Sequence, residues 1–322
     1  VSFPFRRGNP TSTFTAGYNS NYKRIRYGFS ELILQYNNIP APEINRTFGQ
    51  DSFEKTMIEH FPFTMLEHRW GEKLRLVWGV RANYENIVKK WEFMPSANFI
   101  FTPAGNWNMR MSYVRSVILP QLADYIPFPA YDTQLLGTSI NRPIRSSDVQ
   151  ALDFQAEKQM GAFDFISVGL FYRYINRPIE RTTYEYGLDE RMYVLQNSDK
   201  AVNYGLEANI RKQLGFMTDA DFMSRIQFTA GFTLTRSSVY GKRMVMKNND
   251  EFVETESMQK RPLSGQMPYL LNVGLNYSDK NLNANILFNR SGRQLFVLGE
   301  NAYGHEYRAP FNSLEATVSY RF

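Results

Sequence analysis

The 322-residue sequence has no cysteine and only three histidines. Without thiols there is no disulfide framework, no thiolate metal site and no cysteine nucleophile, and three imidazoles leave little for acid–base work. Nowhere do 18 apolar residues run together, so no helical membrane span is encoded. Charge of one sign is never massed. The 37 Lys and Arg exceed the 31 Asp and Glu by a net +6, but the two signs are interspersed, and no nucleic-acid-binding surface is implied. The start, Val1 into Ser2-Phe3-Pro4-Phe5, lacks a charged stretch followed by an apolar one; either a secretory leader has been removed or this is an internal piece of a longer chain. Disorder is excluded by what is abundant, since 43% of residues are hydrophobic and 15% aromatic, with 20 Tyr and 25 Phe.

The positive signal has period two. Ile226, Phe228, Ala230, Phe232 and Leu234 fall on one face of an extended segment, with Gln227, Thr229, Gly231, Thr233 and Thr235 on the other. Val202 to Ile210, Leu271 to Ser278 and Leu314 to Phe322 repeat the pattern. About 13 strands follow, near residues 12–19, 24–36, 54–68, 73–85, 91–102, 106–117, 150–158, 163–178, 192–212, 223–240, 267–278, 282–295 and 312–322. Short polar links (Asn19 to Tyr22, Pro103 to Asn106, Met160 to Gly161, Asp279 to Asn281) alternate with long ones at 118–149, 179–191, 241–264 and 297–311. Short turns at one end and long loops at the other are the habit of an antiparallel transmembrane β-barrel. A soluble sandwich also alternates, but its strands run about five or six residues and its outer face carries Lys and Glu. Here the strands are longer, and the polar faces are rich in Asn, Thr, Ser and Gly. Trp78, Tyr84, Trp107, Tyr113, Tyr172, Tyr174 and Tyr277 stand on the other face as expected interfacial girdles.

Several stretches, in order, resemble the C-terminal barrel portion of TonB-dependent outer-membrane receptors of the kind common in Bacteroidetes. They are Leu74 to Glu85, Met94 to Val117, Phe171 to Glu180, Val202 to Leu214, Arg261 to Tyr277, Phe288 to Gly299 and the closing Leu314 to Phe322. The chain departs from the family's pattern after Val117, with Leu119-Pro120 in place of an Arg-Pro pair and Gly137-Thr138-Ser139 in place of a Gly-Asn-Pro. The resemblance implies a barrel of 22 strands around a preceding plug. At about 25 residues per strand and loop, 22 strands need roughly 550 residues, so residues 1–322 are expected to be a partial barrel domain with its first strands and plug upstream. It further implies a bacterial outer-membrane location, contact with the lipid bilayer and lipopolysaccharide, and an energy coupler, TonB, reached through the upstream part. The implied function is energised uptake of a bulky nutrient such as an iron chelate, glycan or peptide. The alternative is a non-transporting barrel serving as a structural, assembly or surface-binding subunit with an outer-membrane partner.

Site chemistry is sparse. His60 and His68 share a strand face, but eight residues separate them by roughly 26 Å, too far to share an ion, and His305 lies alone in a loop. No Ser-His-acid set, phosphate loop, cofactor motif or metal set is readable, so no catalytic residue is assigned and no enzyme is expected. Arg75, Arg81, Arg110, Asp153, Glu157, Arg173, Glu207, Arg211, Glu315 and Arg321 fall on the polar face. They belong in the lumen, since an ionised group facing lipid at mid-depth costs about 2–4 kcal/mol. Tyr125, Phe128 and Tyr131 among the prolines of loop 118–149 form a candidate ligand or partner display. Asp250, Glu251, Glu254 and Glu256 make loop 241–264 acidic, without the regular spacing of a calcium loop. Tyr320 and Phe322 resemble the C-terminal aromatic signal read by outer-membrane assembly machinery, with Phe322 at the periplasmic end of the last strand.

Overall fold

The computed structural model describes residues 2–6, 8–37, 43–125, 130–132, 137–140, 144–186, 190–218, 220–248, 251–259, 261–299 and 304–322; side chains at 2, 5–6, 29–37, 43–51, 130–132, 137–140, 184–186, 190–192, 242–248 and 251–259 are outside the description. The chain is a wall of long strands with a cap at one end. The wall runs β1 (Ser2–Arg6), β2 (Thr11–Asn37), β3 (Glu43–Trp70), β4 (Leu74–Glu85), β5 (Lys90–Phe101) and β6 (Trp107–Ile118). The chain then enters the cap through a 3-10 turn (Leu122–Tyr125), β7 (Ala130–Asp132) and β8 (Gly137–Ile140). It returns to the wall as β9 (Ser147–Gln159) and β10 (Phe165–Asn176), and leaves again as β11 (Ile179–Tyr186) and β12 (Glu190–Asn197). The rest is β13 (Lys200–Gln213), β14 (Ile226–Asn248), β15 (Glu251–Gln259), β16 (Tyr269–Ser278), β17 (Leu282–Ser291), β18 (Gln294–Val297), β19 (Glu306–Arg308) and β20 (Phe311–Tyr320).

Wall neighbours are hydrogen-bonded in the order β1-β2-β3-β4-β5-β6-β9-β10-β13-β14-β16-β17-β20, every pair antiparallel, with β15 folded against β14. The sheet is open, ending on β1 and β20, as a partial barrel would be. Strand pairing explains the register: Phe228 lies opposite Leu275, Ala230 opposite Val273 and Phe232 opposite Leu271, so the apolar residues of adjacent strands line up on one face. That face stays uncovered by protein, with Leu170, Ile286, Leu314 and Val318 all exposed. A contiguous apolar surface of this extent, alternating with a polar face, is what lipid is suited to cover. The buried apolar clusters are elsewhere, at the cap end: Tyr193 with Val297 inside the cap, and Ala201 of β13 and Val239 of β14 with Leu263 where the wall meets it.

Glycine solves a packing problem at two points of the wall. A Cβ at Gly79 would stand 2.3 Å from the Thr64 carbonyl oxygen of β3, and at Gly205 one would meet the Leu234 carbonyl at 2.2 Å and the Phe171 ring at 2.3 Å. Only a residue without a side chain lets the β3 backbone approach Gly79 and the Phe171 ring fold over Gly205.

Four expected boundaries are corrected. Asn19 to Tyr22 is no turn; these residues pair one for one with Phe61, His60, Glu59 and Ile58, so the expected strands 12–19 and 24–36 are a single β2. Cross-strand partners decide it: Lys23 ion-pairs with Glu59 at 2.8 Å and the Tyr18 hydroxyl bonds His60, overriding the turn propensity of Asn and Ser. The expected strand 192–212 is two strands, because the Ser198 amide turns back to the Pro178 carbonyl at 2.9 Å and β12 leaves the wall. Likewise 282–295 breaks where the Gly292 amide bonds the Tyr269 carbonyl at 3.0 Å, and β18 moves into the cap. The expected loop 241–264 is mostly a hairpin, since β14 continues past Tyr240 and pairs with β15 from Val239↔Gln259 to Asn248↔Glu251. β1 was also missed.

The turns at 71–73, 102–106, 160–164 and 279–281 all lie at one end of the wall, with the C-terminus beside them. There the Arg321 amide bonds the Asn281 carbonyl at 2.8 Å. The 3-10 turn with β7 and β8, the β11–β12 pair, the β18–β19 pair and the β14–β15 hairpin lie at the opposite end. Among the described residues the connections at 86–89, short at the long-loop end, and between β13 and β14, long at the short-turn end, break the rule.

Candidate ligand vestibule

Several charges of the polar face are held in ion pairs across neighbouring strands. Arg173 donates to Asp153 at 2.9 Å, Arg110 meets Glu157 at 3.0 Å, and Arg75 reaches Glu67 at 2.8 Å. Arg81 stacks on the Phe61 ring with its guanidinium carbon 5.3 Å from the centroid. Arg211 lies 4.8 Å from the Phe165 centroid and donates to the Phe163 carbonyl at 2.8 Å. Pairing on this face follows from cross-strand register, which sets Asp153 opposite Phe171 on the strand beside Arg173. Glu315 sits exposed on the edge strand β20, and Arg321 lies beyond that strand at the short-turn rim. Tyr320 and Phe322 meet edge to face, ring centroids 5.1 Å apart.

The cap is built from three connections zipped into β-structure. β11 pairs antiparallel with β12, β12 pairs parallel with β8, and β8 pairs antiparallel with β7. The parallel pair is the departure from an all-antiparallel chain. β18 and β19 form a second small sheet, joined to β11 by Thr183 N–H to the Leu298 carbonyl at 2.8 Å and Leu298 N–H to the Arg181 carbonyl at 2.9 Å.

A buried carboxylate ties this cap to the wall. Glu180 on β11, 1% exposed, accepts two bonds from the Arg261 guanidinium at 2.7 and 2.8 Å, one from the Ser198 hydroxyl at 2.6 Å and one from the Ser264 amide at 3.1 Å. Burial opposes its ionisation, but the Arg261 hydrogen bonds and charge, helped by Ser198 and Ser264, prevail and hold the carboxyl below its ordinary range. The latch fixes segment 261–267, which also bonds the cap through Gly265 N–H to the Leu295 carbonyl at 2.7 Å and Ser264 Oγ–H to the Phe296 carbonyl at 3.0 Å.

Beneath that segment lies a cavity of ≈ 500 Å³ on the polar face. Phe171, Arg173, Asn203, Glu207, Thr233, Thr235 and the 263–267 segment line it. Asn203 donates to Gln266 at 3.1 Å, while the Asn203 side-chain oxygen and one Arg173 amino group have no hydrogen-bond partner among the described residues. Donors, acceptors and an aromatic ring thus converge on one concave polar site. A second cavity, ≈ 710 Å³, lies where residues 119–123 cross the polar face above Lys23, Glu59, Phe61, Arg81 and Asn83.

Of the aromatic trio, Tyr125 ends the 3-10 turn and folds inward, its ring 4.1 Å from Lys55 Nζ. Burial, then the charges of Glu85 and Asp124, push its phenol up to about 12. Phe128 and the side chain of Tyr131 lie outside the described residues, as do the acidic side chains of 250–256. His68 pairs with Ser12 at 2.9 Å and His60 with Tyr18, both on the apolar face, and His305 accepts from the Gly299 amide at 3.1 Å. Among the described residues no three His, Cys, Asp or Glu side chains come together to hold an ion. The latch Glu180–Arg261 escaped the sequence reading, although both residues stand in the stretches Phe171 to Glu180 and Arg261 to Tyr277 that carried the family resemblance.

A β-wall of long antiparallel strands with one apolar and one polar face is the architecture of a membrane β-barrel. Residues 2–322 match the family described as TonB dependent receptor-like, beta-barrel, and the chain belongs to it. Among solved structures it is similar to the ferric enterobactin receptor PfeA of Pseudomonas aeruginosa, with a TM-score of 0.63 and 15% identity over 100% of this chain and 45% of that one. It is similar also to the siderophore receptor PirA of Acinetobacter baumannii, with a TM-score of 0.60 and 12% identity over 100% of this chain and 47% of that one. For the copper transporter OprC the TM-score is 0.61 at 15% identity, covering 97% and 47%. The chain therefore spans about half the length of these structures. No curated protein matches it. The family and these neighbours are receptors and transporters.

Proposed function

We propose that this chain is the C-terminal part of a TonB-dependent outer-membrane receptor, of the kind found in Bacteroidetes, that takes up a bulky nutrient with energy from the inner membrane. The remaining strands complete the barrel by pairing with the open edges β1 and β20, since unpaired backbone groups in lipid cost several kcal/mol each, and a plug fills its lumen. The lipid bilayer and lipopolysaccharide cover the apolar face, TonB engages the upstream part, and the chain performs no catalysis. One observation carries the reading: an open cleft that sets Arg173, Asn203 and Glu207 beside the hydrogen-bonded 263–267 segment, on the face opposite the lipid surface. The cargo enters past the cap and meets Arg173, Asn203 and Glu207. The test is accumulation of labelled nutrient by cells expressing the full receptor, with and without the energy coupler. Uptake is expected to vanish without it; unchanged uptake would refute energised transport and leave a structural or surface-binding barrel.

A further inference from the structure

The floor of the larger cavity holds an electrostatic anomaly. Glu59 on β3 and Glu85 on β4 are directly opposed across the strand pair, so their Cβ atoms stand about 5 Å apart on the polar face. Both are buried, at 5% and 1% exposure, and Asn83, two residues before Glu85 on the same face, is 4% exposed. Neither oxygen of Glu85, nor the Asn83 side-chain oxygen, has a hydrogen-bond partner among the described residues. Lys23 reaches Glu59 alone, at 2.8 Å. The other nearby cations face rings, Lys55 over Tyr125 and Arg81 over Phe61. Two like charges, directly opposed and buried, with a direct ion pair to Glu59 and none to Glu85, are unfavourable as they stand.

We propose that Glu59, Glu85 and Asn83 form a binding site for a divalent cation of the calcium type. The donors are all oxygen, which excludes soft metals. Two carboxylates able to bind through both oxygens, one amide oxygen and water from the adjoining cavity provide the six to eight ligands at about 2.3–2.6 Å that calcium takes. Magnesium fits less well, because two opposed carboxylates do not impose the near-ideal octahedron it requires. Glu59 and Asn83 line the ≈ 710 Å³ cavity, so the site has an entry from the polar face. Lys23 is the built-in competitor: its ammonium leaves Glu59 as the ion arrives. The bound ion would pin the ends of β3 and β4 beneath the strap at 119–125.

The test is calorimetric titration of the purified full receptor with calcium, magnesium and sodium, paired with thermal melting. One calcium site per receptor is expected, weakened at least tenfold by Glu85→Gln and by Glu59→Gln and tightened several-fold by Lys23→Met. Calcium should raise the melting temperature of the parent protein and leave that of Glu85→Gln unmoved. The two conservative amide variants guard against misfolding of either one, and heat-resistant migration of the folded barrel verifies each. Absence of a calcium site in the parent protein, or affinity that ignores both glutamates, would overturn the proposal. So would Glu85→Gln raising the melting temperature with no calcium dependence in the parent, which would assign the pair a shared proton.

Discussion

Glu180 and Glu85 are equally buried and opposite in circumstance. Glu180 receives four hydrogen bonds, two of them from a guanidinium; Glu85 receives none from the described residues. The first lies where the cap meets the wall and the second at the end of a wall strand under a strap. The contrast teaches that burial alone says nothing about what a carboxylate does. A satisfied buried carboxylate is a fastener, and its loss leaves an orphaned cation. An unsatisfied one is a demand for a partner, and its neutralisation is a relief.

The largest effect should come from breaking the fastener. Arg261→Ala removes two charge-assisted bonds and strands Glu180 in the cap, a change expected to cost about 3–5 kcal/mol. It should be read as lost protection of the cap connections in limited proteolysis of the folded receptor, with the wall resistant. Equal sensitivity of wall and cap would mean that the latch is not local. The mirror experiment on the other glutamate has the opposite sign: Glu85→Gln, in calcium-free buffer, should stabilise by about 1–3 kcal/mol by removing an unmatched buried charge. A destabilisation of that size by denaturant or heat would show that Glu85 already has a partner.

How far this contrast was legible in the sequence differs between its two halves. Period-two alternation located most wall strands, because each face meets one uniform environment. Arg75, Arg110, Arg173, Asp153 and Glu157 were assigned to the polar face on that basis, and the structure sets Arg110 and Arg173 against Glu157 and Asp153. The cap was not legible. Ser198 and Gly292 end strands through bonds to Pro178 and Tyr269, residues distant in sequence, and no local pattern announces them. Asn19 to Tyr22 misled in the other direction, because polar residues at the tall end of a barrel strand look like a turn. Glu180 and Arg261 are 81 positions apart, and Glu59 and Glu85 meet only through the β3–β4 register, so neither pair has a spacing that a motif could capture.

Acid should separate the two glutamates next. The Glu180 carboxyl is held below its ordinary value, so its contribution is fully present above about pH 4.5 and is lost as pH falls through the depressed folded value. The cap is expected to become protease-sensitive on acidification below about pH 4.5, and Glu180→Gln, less stable at neutral pH, should show a flatter response across that range. An identical acid profile in the variant would transfer the effect to other carboxylates.

The smallest expected effect lies above the unmatched glutamate, at Tyr125. Its phenol is pushed up to about 12, by burial first and then by the charges of Glu85 and Asp124. A group whose acid form is favoured in the folded state contributes stability below its unfolded pKa, about 10 for tyrosine, and loses it as pH rises toward the folded value. The window is therefore about pH 10–12, far from neutrality. Tyr125→Phe keeps the ring over Lys55 and removes only the ionisable hydroxyl, so at pH 7 its melting temperature should match the parent protein closely. Above pH 10 the parent's strap at 119–125 should loosen while the Phe variant's does not, read by hydrogen exchange at the amides of 121–125. Strap loosening of equal size in both proteins would show that the alkaline transition does not belong to the Tyr125 phenol.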